Sequence, residues 1–395
     1  MKPLIRGTLF LLALFVCFPM QGCSDLKEIN DMAIADMVGV DMDEEGHYMA
    51  YYQIINPNGV AGSKSGGSRS PLYTYAFQAD SWAEFASTAT RTIPRKLFIS
   101  HYQAYIVSER LAAKGLDDLL NFLENDPTRR MATNVFIAKS PVQDIMNTFV
   151  PLERNPGKEL RSVHELQHNV ASTASPNSQI KTLLENYEGT KLSFISNIRV
   201  VGKPMATTKR FETIQGDKGN FELFGSTIIK QGKRVGELTP DQMASLLFVR
   251  GEAHSLIEPI ETDNQEAAEL QLMGQPRIKR QLTLKNNRLE LRIHIHPKLK
   301  LASIDTNGRI DTATLHRLEK LFDERMAAHS NALLQLGKKN HWDLIDIQDQ
   351  IMHKNGKRWH KLKASPESWE GAKITIDVHA KIIKTGVIMT PYTRS

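Results

Sequence analysis

Two cysteines, Cys17 and Cys23, are all that the 395 residues contain. If a leader is removed before Cys23, Cys17 leaves with it and a single thiol remains, which excludes an internal disulfide. The chain also lacks an apolar run of the roughly 20 residues needed to cross a bilayer as a helix. There is no G-x-S-x-G nucleophile elbow and no G-x-x-x-x-G-K-[ST] phosphate cradle. The net charge of +6 is mild and dispersed, so nothing argues for nucleic acid as a partner. Folding must therefore rest on packing alone. About 370 residues can supply that as two or three domains, and a composition 41% hydrophobic and 24% charged excludes wholesale disorder.

What is present begins at the N-terminus. Lys2 and Arg6 precede LFLLALFVCF, about half a membrane span, which has the form of an export signal rather than of an anchor. The run ends at Pro19 and leads into MQGC, which resembles a bacterial lipobox. Gly22 supplies the small residue before the cut, and Cys23 becomes the acylated first residue of the mature chain. Residues 1–22 are thus read as a lipoprotein signal peptide and Cys23 as the lipidation site. Losing Lys2 and Arg6 leaves a charge of +4, from 48 basic against 44 acidic residues. A faintly basic chain of that kind suits an anionic membrane surface.

The pattern after the signal predicts an α+β chain. MAIADMVGVDMD and HYMAYYQIINP read as antiparallel strands joined by a turn at DEEG. The Gly/Ser-dense NGVAGSKSGGSRSP reads as a loop with too little apolar content to pack. Strand and helix then alternate over residues 73–140: TYAFQA, a helix SWAEFASTATR begun by Ser81, AYIVS, a helix GLDDLLNFLEND stopped before Pro127, and TNVFIA. Such alternation favours helices packed on a mixed sheet. Further on, FELFGSTIIKQGKRVGELTPDQMASLLFVRGE reads as two strands and a short helix begun at Thr239. TDNQEAAELQLMGQP reads as a polar spacer between domains. Two antiparallel strands turn at Asn286 and Asn287, and a long helix follows with Leu315, Leu318, Phe322, Met326, Leu333 and Leu336 on its core face. KRWHKLKASPESW and the strand AKITIDVHAKIIKTGVI close the chain. The expected fold is multi-domain α+β with mixed and antiparallel sheets and packed helices. Its domains are expected at 23–185, 190–265 and 276–395.

Residues 95–140 carry a family resemblance. Arg95 to Phe98, Glu109 to Ala112, Leu120 to Leu123 and Asp126 to Arg129 stand in the order typical of the Ger(x)C family, the C subunits of bacterial spore germinant receptors. GCSDLKEIN at the mature start and VGVDMDEEGHYMAYYQIINP are similar to that family's opening and first hairpin. Ser24 and Leu26 depart from its usual Trp and Arg. The resemblance implies a non-catalytic, lipid-anchored receptor subunit on the outer face of the inner spore membrane. It implies two integral-membrane partners, one permease-like, and no cofactor.

One motif competes with that reading. HELQH, residues 164–168, has the H-E-x-x-H form in which His164 and His168 hold zinc and Glu165 acts as general base, with Glu185 or Glu188 as a third ligand. A lipid-anchored zinc metallopeptidase is the rival that follows, and a solute-binding lipoprotein is a third reading. The alternative for HELQH is an amphipathic helix over residues 158–172. It buries Leu160, Val163, Leu166 and Val170 and leaves both histidines beside the stripe in water. That helix is the expectation adopted, with no metal or catalytic residue. His294 and His296 are likewise read as the wet side of a strand whose Leu291, Ile293 and Ile295 face inward. Asp305, Asn307 and Asp311 resemble a calcium loop in fragments and are read as a turn and a helix cap.

Because the acyl group is the only expected hold on the bilayer, Cys23→Ala should leave an unprocessed precursor or a mislocalised chain. Fractionation and the mass of the N-terminal peptide check this. Normal processing and attachment of the variant would refute the lipobox reading.

Overall fold

The structure is a computed structural model that describes residues 31–56, 70–126, 129–204, 219–261, 267–286, 288–305, 310–365 and 368–385. The signal peptide, Cys23, most of the Gly/Ser stretch, Asn287 and Asn307 lie outside the described residues. No described helix is long and apolar enough to cross a membrane.

The first half is built on a nine-stranded sheet. Its strands are β1 (Met32–Met42), β2 (Tyr48–Ile55), β3 (Leu72–Ala79), β4 (Lys96–Phe98), β5 (Ala104–Ser108), β6 (Asn134–Ala138), β7 (Ser193–Val201), β8 (Asn220–Lys230) and β9 (Lys233–Leu238). Their order is β3-β2-β1-β5-β6-β7-β8-β9, with β4 beside the start of β1. The expected hairpin is present: β1 and β2 pair antiparallel from Met42↔Tyr48 back to Ala35↔Ile54. Its turn closes where the Asp43 carboxylate accepts from the His47 N–H at 2.8 Å. The middle of the sheet is parallel, β1 with β5, β5 with β6 and β6 with β7.

Side chains on a strand alternate between faces, so neighbours in sequence enter different cores. Val38, Tyr105 and Ile137 lie in one apolar cluster, whereas Met37, Ile106 and Phe136 lie in another on the opposite face. The helices α1 (Glu84–Ala89), α2 (Glu109–Lys114) and α3 (Asp117–Glu124) supply residues to the first cluster. Leu116, Leu119, Leu120 and Leu123 are all buried there, as their spacing predicts. Ser81 does not begin α1: the helix starts at Glu84, and the Ser81 hydroxyl instead reaches the Glu84 carboxylate at 3.1 Å. The second face is covered by α4 (Val142–Met146) and α5 (Pro156–Leu166). A further helix, α6 (Ile180–Tyr187), puts Ile180 and Leu183 into the first cluster.

The second half follows α7 (Pro240–Arg250). Thr239 starts this helix with a reciprocal capping box to Gln242. Strands β10 (Ile257–Glu261), β11 (Ala267–Leu272), β14 (Lys298–Asp305) and β16 (Lys381–Lys384) form a four-stranded sheet in the order β10-β11-β14-β16. Strands β12 (Arg277–Lys285), β13 (Arg288–His296) and β15 (Lys373–Val378) form a three-stranded sheet. The 28-residue helix α8 (Thr312–Lys339) packs Leu318, Phe322, Met326 and Leu333 into the core between them, with Leu315 and Leu336 half-buried at its margin. Asp311 caps it, accepting from the Thr314 N–H at 2.7 Å. Two short helices, α9 (Ile347–Met352) and α10 (Lys357–Lys363), complete the fold, which is multi-domain α+β as expected.

The stretch read as a polar spacer needs correction. Residues 267–272 are β11, paired on both sides, with Ala268, Leu270 and Leu272 buried between exposed or half-buried neighbours. One apolar core runs from Leu192 to Ile382 and includes residues on either side of that stretch.

Leu120 is 3% exposed, so Leu120→Ala should cost about 2–5 kcal/mol in denaturant unfolding of the mature chain. Leu152, 88% exposed, is the control: its change to Ala should stay within about 0.5 kcal/mol.

Candidate functional site

The HELQH helix is fixed by close backbone approach. Pro156 occupies the first turn of α5, and a Cβ at Gly157 would fall 2.7 Å from Met37 and 2.9 Å from the Asp36 carbonyl. Only glycine lets the helix start sit this close to β1. The Gly157 N–H donates to the buried Asp36 carboxylate at 2.8 Å. Burial pushes that carboxyl up to about 6 against the opposing effect of the Gly157 bond. One helical turn later Leu160 is fully buried, and the next inward position is His164.

His164 is therefore a core residue, and the expected exposed position is wrong. It is 3% exposed, stands edge-on to the Phe136 ring with centroids 5.4 Å apart, and has Nδ1 3.5 Å from the Asn134 amide nitrogen. Leu166 and Val170, expected inward, are 60% and 63% exposed. Leu166 is still in the α-helix and lies on the side away from the buried Leu160 and His164; for Val170 the cause is a change of helix type. The α-helix ends at Leu166 and continues as one π turn, Gln167–Ala171, closed by Ser172 in the left-handed region at φ 52°. A π turn places its residues at a different angular step, so a stripe counted at 3.6 per turn leaves the core face. Gln167 anchors the turn by donating to the Leu223 carbonyl at 2.9 Å.

The π turn meets the second half of the molecule. The His168 and His254 rings pack edge to face with centroids 4.8 Å apart. The His168 Nδ1 lies 3.2 Å from the Ala174 carbonyl oxygen. The Ser172 hydroxyl accepts from the His254 and Ser255 N–H groups at 2.9 and 3.1 Å. Burial lowers the His168 pKa most, the Ala174 bond raises it, and His254 lowers it further.

A zinc hydrolase would need a third ligand converging on the two imidazoles. Among the described residues the group of three whose ligand atoms lie within 4.8 Å of one another is Asp43, Glu45 and His47, in the β1–β2 turn. His164 and His168 belong to no such group. Glu165 points to solvent beside Arg161, its carboxylate 3.6 Å from the guanidinium, and Glu185 faces Lys181 at 3.6 Å. Arg292, His294 and His296 occupy the outer side of β13 while Leu291, Ile293 and Ile295 are fully buried. His294 faces the Asp377 carboxylate at 3.3 Å, and His296 stacks on His379.

The burial of His164 has a pH signature. Burial first, and repulsion by His168 second, push its pKa down to about 4, with a smaller opposing effect from the Ser175 backbone. Above pH 6.5 it is neutral in folded and unfolded chains alike. As pH falls from 6.5 to 4 the unfolded chain alone takes up the proton, so stability drops by about 3 kcal/mol in total. Asp36 acts in the opposite sense, because a raised carboxyl loses its contribution as pH climbs through about 6. The comparison of wild type with His164→Gln isolates the histidine. The variant should be less stable by about 1–3 kcal/mol at neutral pH and should lose less stability between pH 6.5 and 4. Equal pH slopes would remove His164 as the cause.

Comparisons with known proteins agree with this architecture. The family model described as "Spore germination protein N-terminal domain" matches residues 25–200. The model described as "Spore germination B3/ GerAC like, C-terminal" matches residues 224–386. Spore germination protein KC of Bacillus subtilis (strain 168) is 25% identical, covering 98% of this chain and 97% of its own length. Spore germination protein B3 of the same organism is 20% identical over 96% of this chain and 98% of its own. The crystal structure of the GerBC protein superposes with a TM-score of 0.57 at 18% identity, over 88% of this chain and 97% of that one, and so shares the fold. Two family segments in sequence, filling nearly the whole described chain, settle the assignment: the chain belongs to the Ger(x)C family of spore germination proteins.

Proposed function

We propose that this protein is a non-catalytic subunit of a nutrient germinant receptor. In this reading an acyl group on Cys23 tethers it to the outer face of the inner spore membrane. It couples or stabilises two integral-membrane subunits, one of them permease-like. The observation that carries the reading is the end-to-end match to spore germination proteins, both family segments present in order.

The local chemistry is in keeping with it. The histidines of HELQH serve packing: His164 fills a core position against Phe136, and His168 contributes to the junction with His254. The metallopeptidase reading, with His164, His168 and Glu165 as its residues, gains nothing from this placement. A receptor subunit needs instead a rigid body that presents surface to its partners, and a sheet packed on both faces provides one.

Spores lacking this chain should fail to respond to one nutrient class while germinating normally with an agent that bypasses nutrient receptors. Assembly stabilises subunits by mass action, so the amounts of the two membrane partners should also fall. Normal nutrient responses after deletion of other receptors of this type would overturn the assignment.

A further inference from the structure

A groove of about 860 Å³ lies where the two halves meet. The π turn after HELQH supplies Val170 on one side, and β10 supplies Ile257 on the other. These side chains are 63% and 56% exposed, and Leu256, Met326 and Leu333 form an apolar floor beneath them. Its walls include residues of α7 and α8, two helices that pack on each other. A small ligand in a concave site buries itself within the walls. Here the apolar side chains project from the rim, so a broad occupant is needed to cover them.

One end of the groove is acidic. Glu258 is nearly buried, with Arg325 Nε at 2.8 Å and His329 Nδ1 at 4.0 Å from its carboxylate oxygens. Asp241 stands close enough to repel it and has no ion-pair partner among the described residues. Two carboxylates against one permanent cation leave negative charge unmatched. That surplus disfavours an anionic lipid surface and favours a basic partner.

The edge of the sheet narrows the choice further. β10 is an outer strand, and Pro259 at its centre has no N–H to offer an added strand. Recognition then falls to side chains in the groove, which is how an amphipathic helix is read.

We propose that this groove docks an amphipathic helix of a membrane partner. Apolar side chains at helical spacing would cover Val170 and Ile257, and a lysine or arginine on the same helix would reach Asp241 and Glu258. The assignment rests on the receptor reading given above.

The test uses the full-length chain in spores, with a photo-crosslinking amino acid at Val170 or at Ile257. The cross-linked peptide should come from a membrane subunit and carry a basic residue among apolar residues spaced as on one helix face. Val170→Glu should reduce co-purification of that subunit by about tenfold or more, the loss typical of one central contact. Asp241→Lys should weaken it as well, and an acidic residue in place of the partner's basic one should restore it. Both positions are at the surface, so the melting temperature of Val170→Glu should match wild type. That of Asp241→Lys should fall by only a few degrees, because Asp241 stands in the first turn of α7. Cross-links only to lipid or to a second copy of this chain, or none, with the membrane subunits still co-purifying, would overturn the docking site and leave the receptor reading intact. Failure of the unmodified chain to co-purify with any membrane subunit would overturn the receptor reading, and the docking site with it.

Discussion

The structure depends on strands that are buried on both faces at the end of the large sheet. In β7, Phe194 points into the core of the second half while Ile195 points into the first; in β8, Ile228 and Ile229 divide in the same way. The period of two along a strand makes that division automatic once the register is set. Strands β7 and β8 thus form a wall shared by two cores. One polar pair inside the wall is satisfied within it: the Thr227 hydroxyl donates to the Asn197 side-chain oxygen at 2.6 Å. The wall also fixes how near the second half can come. Gly236 of β9 lies so close to the Trp342 indole that a Cβ there would clash with the ring edge.

Much of this was readable from residue order. The β1–β2 hairpin, the four leucines at α3, the Thr239 cap and the core stripe of α8 are local patterns with local causes, and each stands where its spacing places it. The strand at residues 267–272 was missed because Glu269 and Gln271 made the stretch look solvated. Its signal was nevertheless present in the alternation of Ala268, Leu270 and Leu272.

HELQH was misread for a different reason. The fate of His164 is set by Phe136 and Asn134, which a parallel strand brings from about thirty residues away in sequence. The fate of Val170 is set by one π turn that no residue type announces. Neither is encoded within the five residues of the motif. The same non-local placement creates the groove, since Val170 and Ile257 come to line one groove only after the two halves have closed on their common wall.

The position of β1 bears on how the molecule carries load. The segment upstream of Met32 enters the sheet at an interior strand, held by β2 on one side and by β5 on the other. Tension applied along that segment acts lengthwise on β1. Its ladder bonds to both neighbours are then strained together rather than opened one after another. A pull from the N-terminal side is thus resisted in shear by the centre of the sheet, and the force is passed to the whole body instead of peeling away an edge.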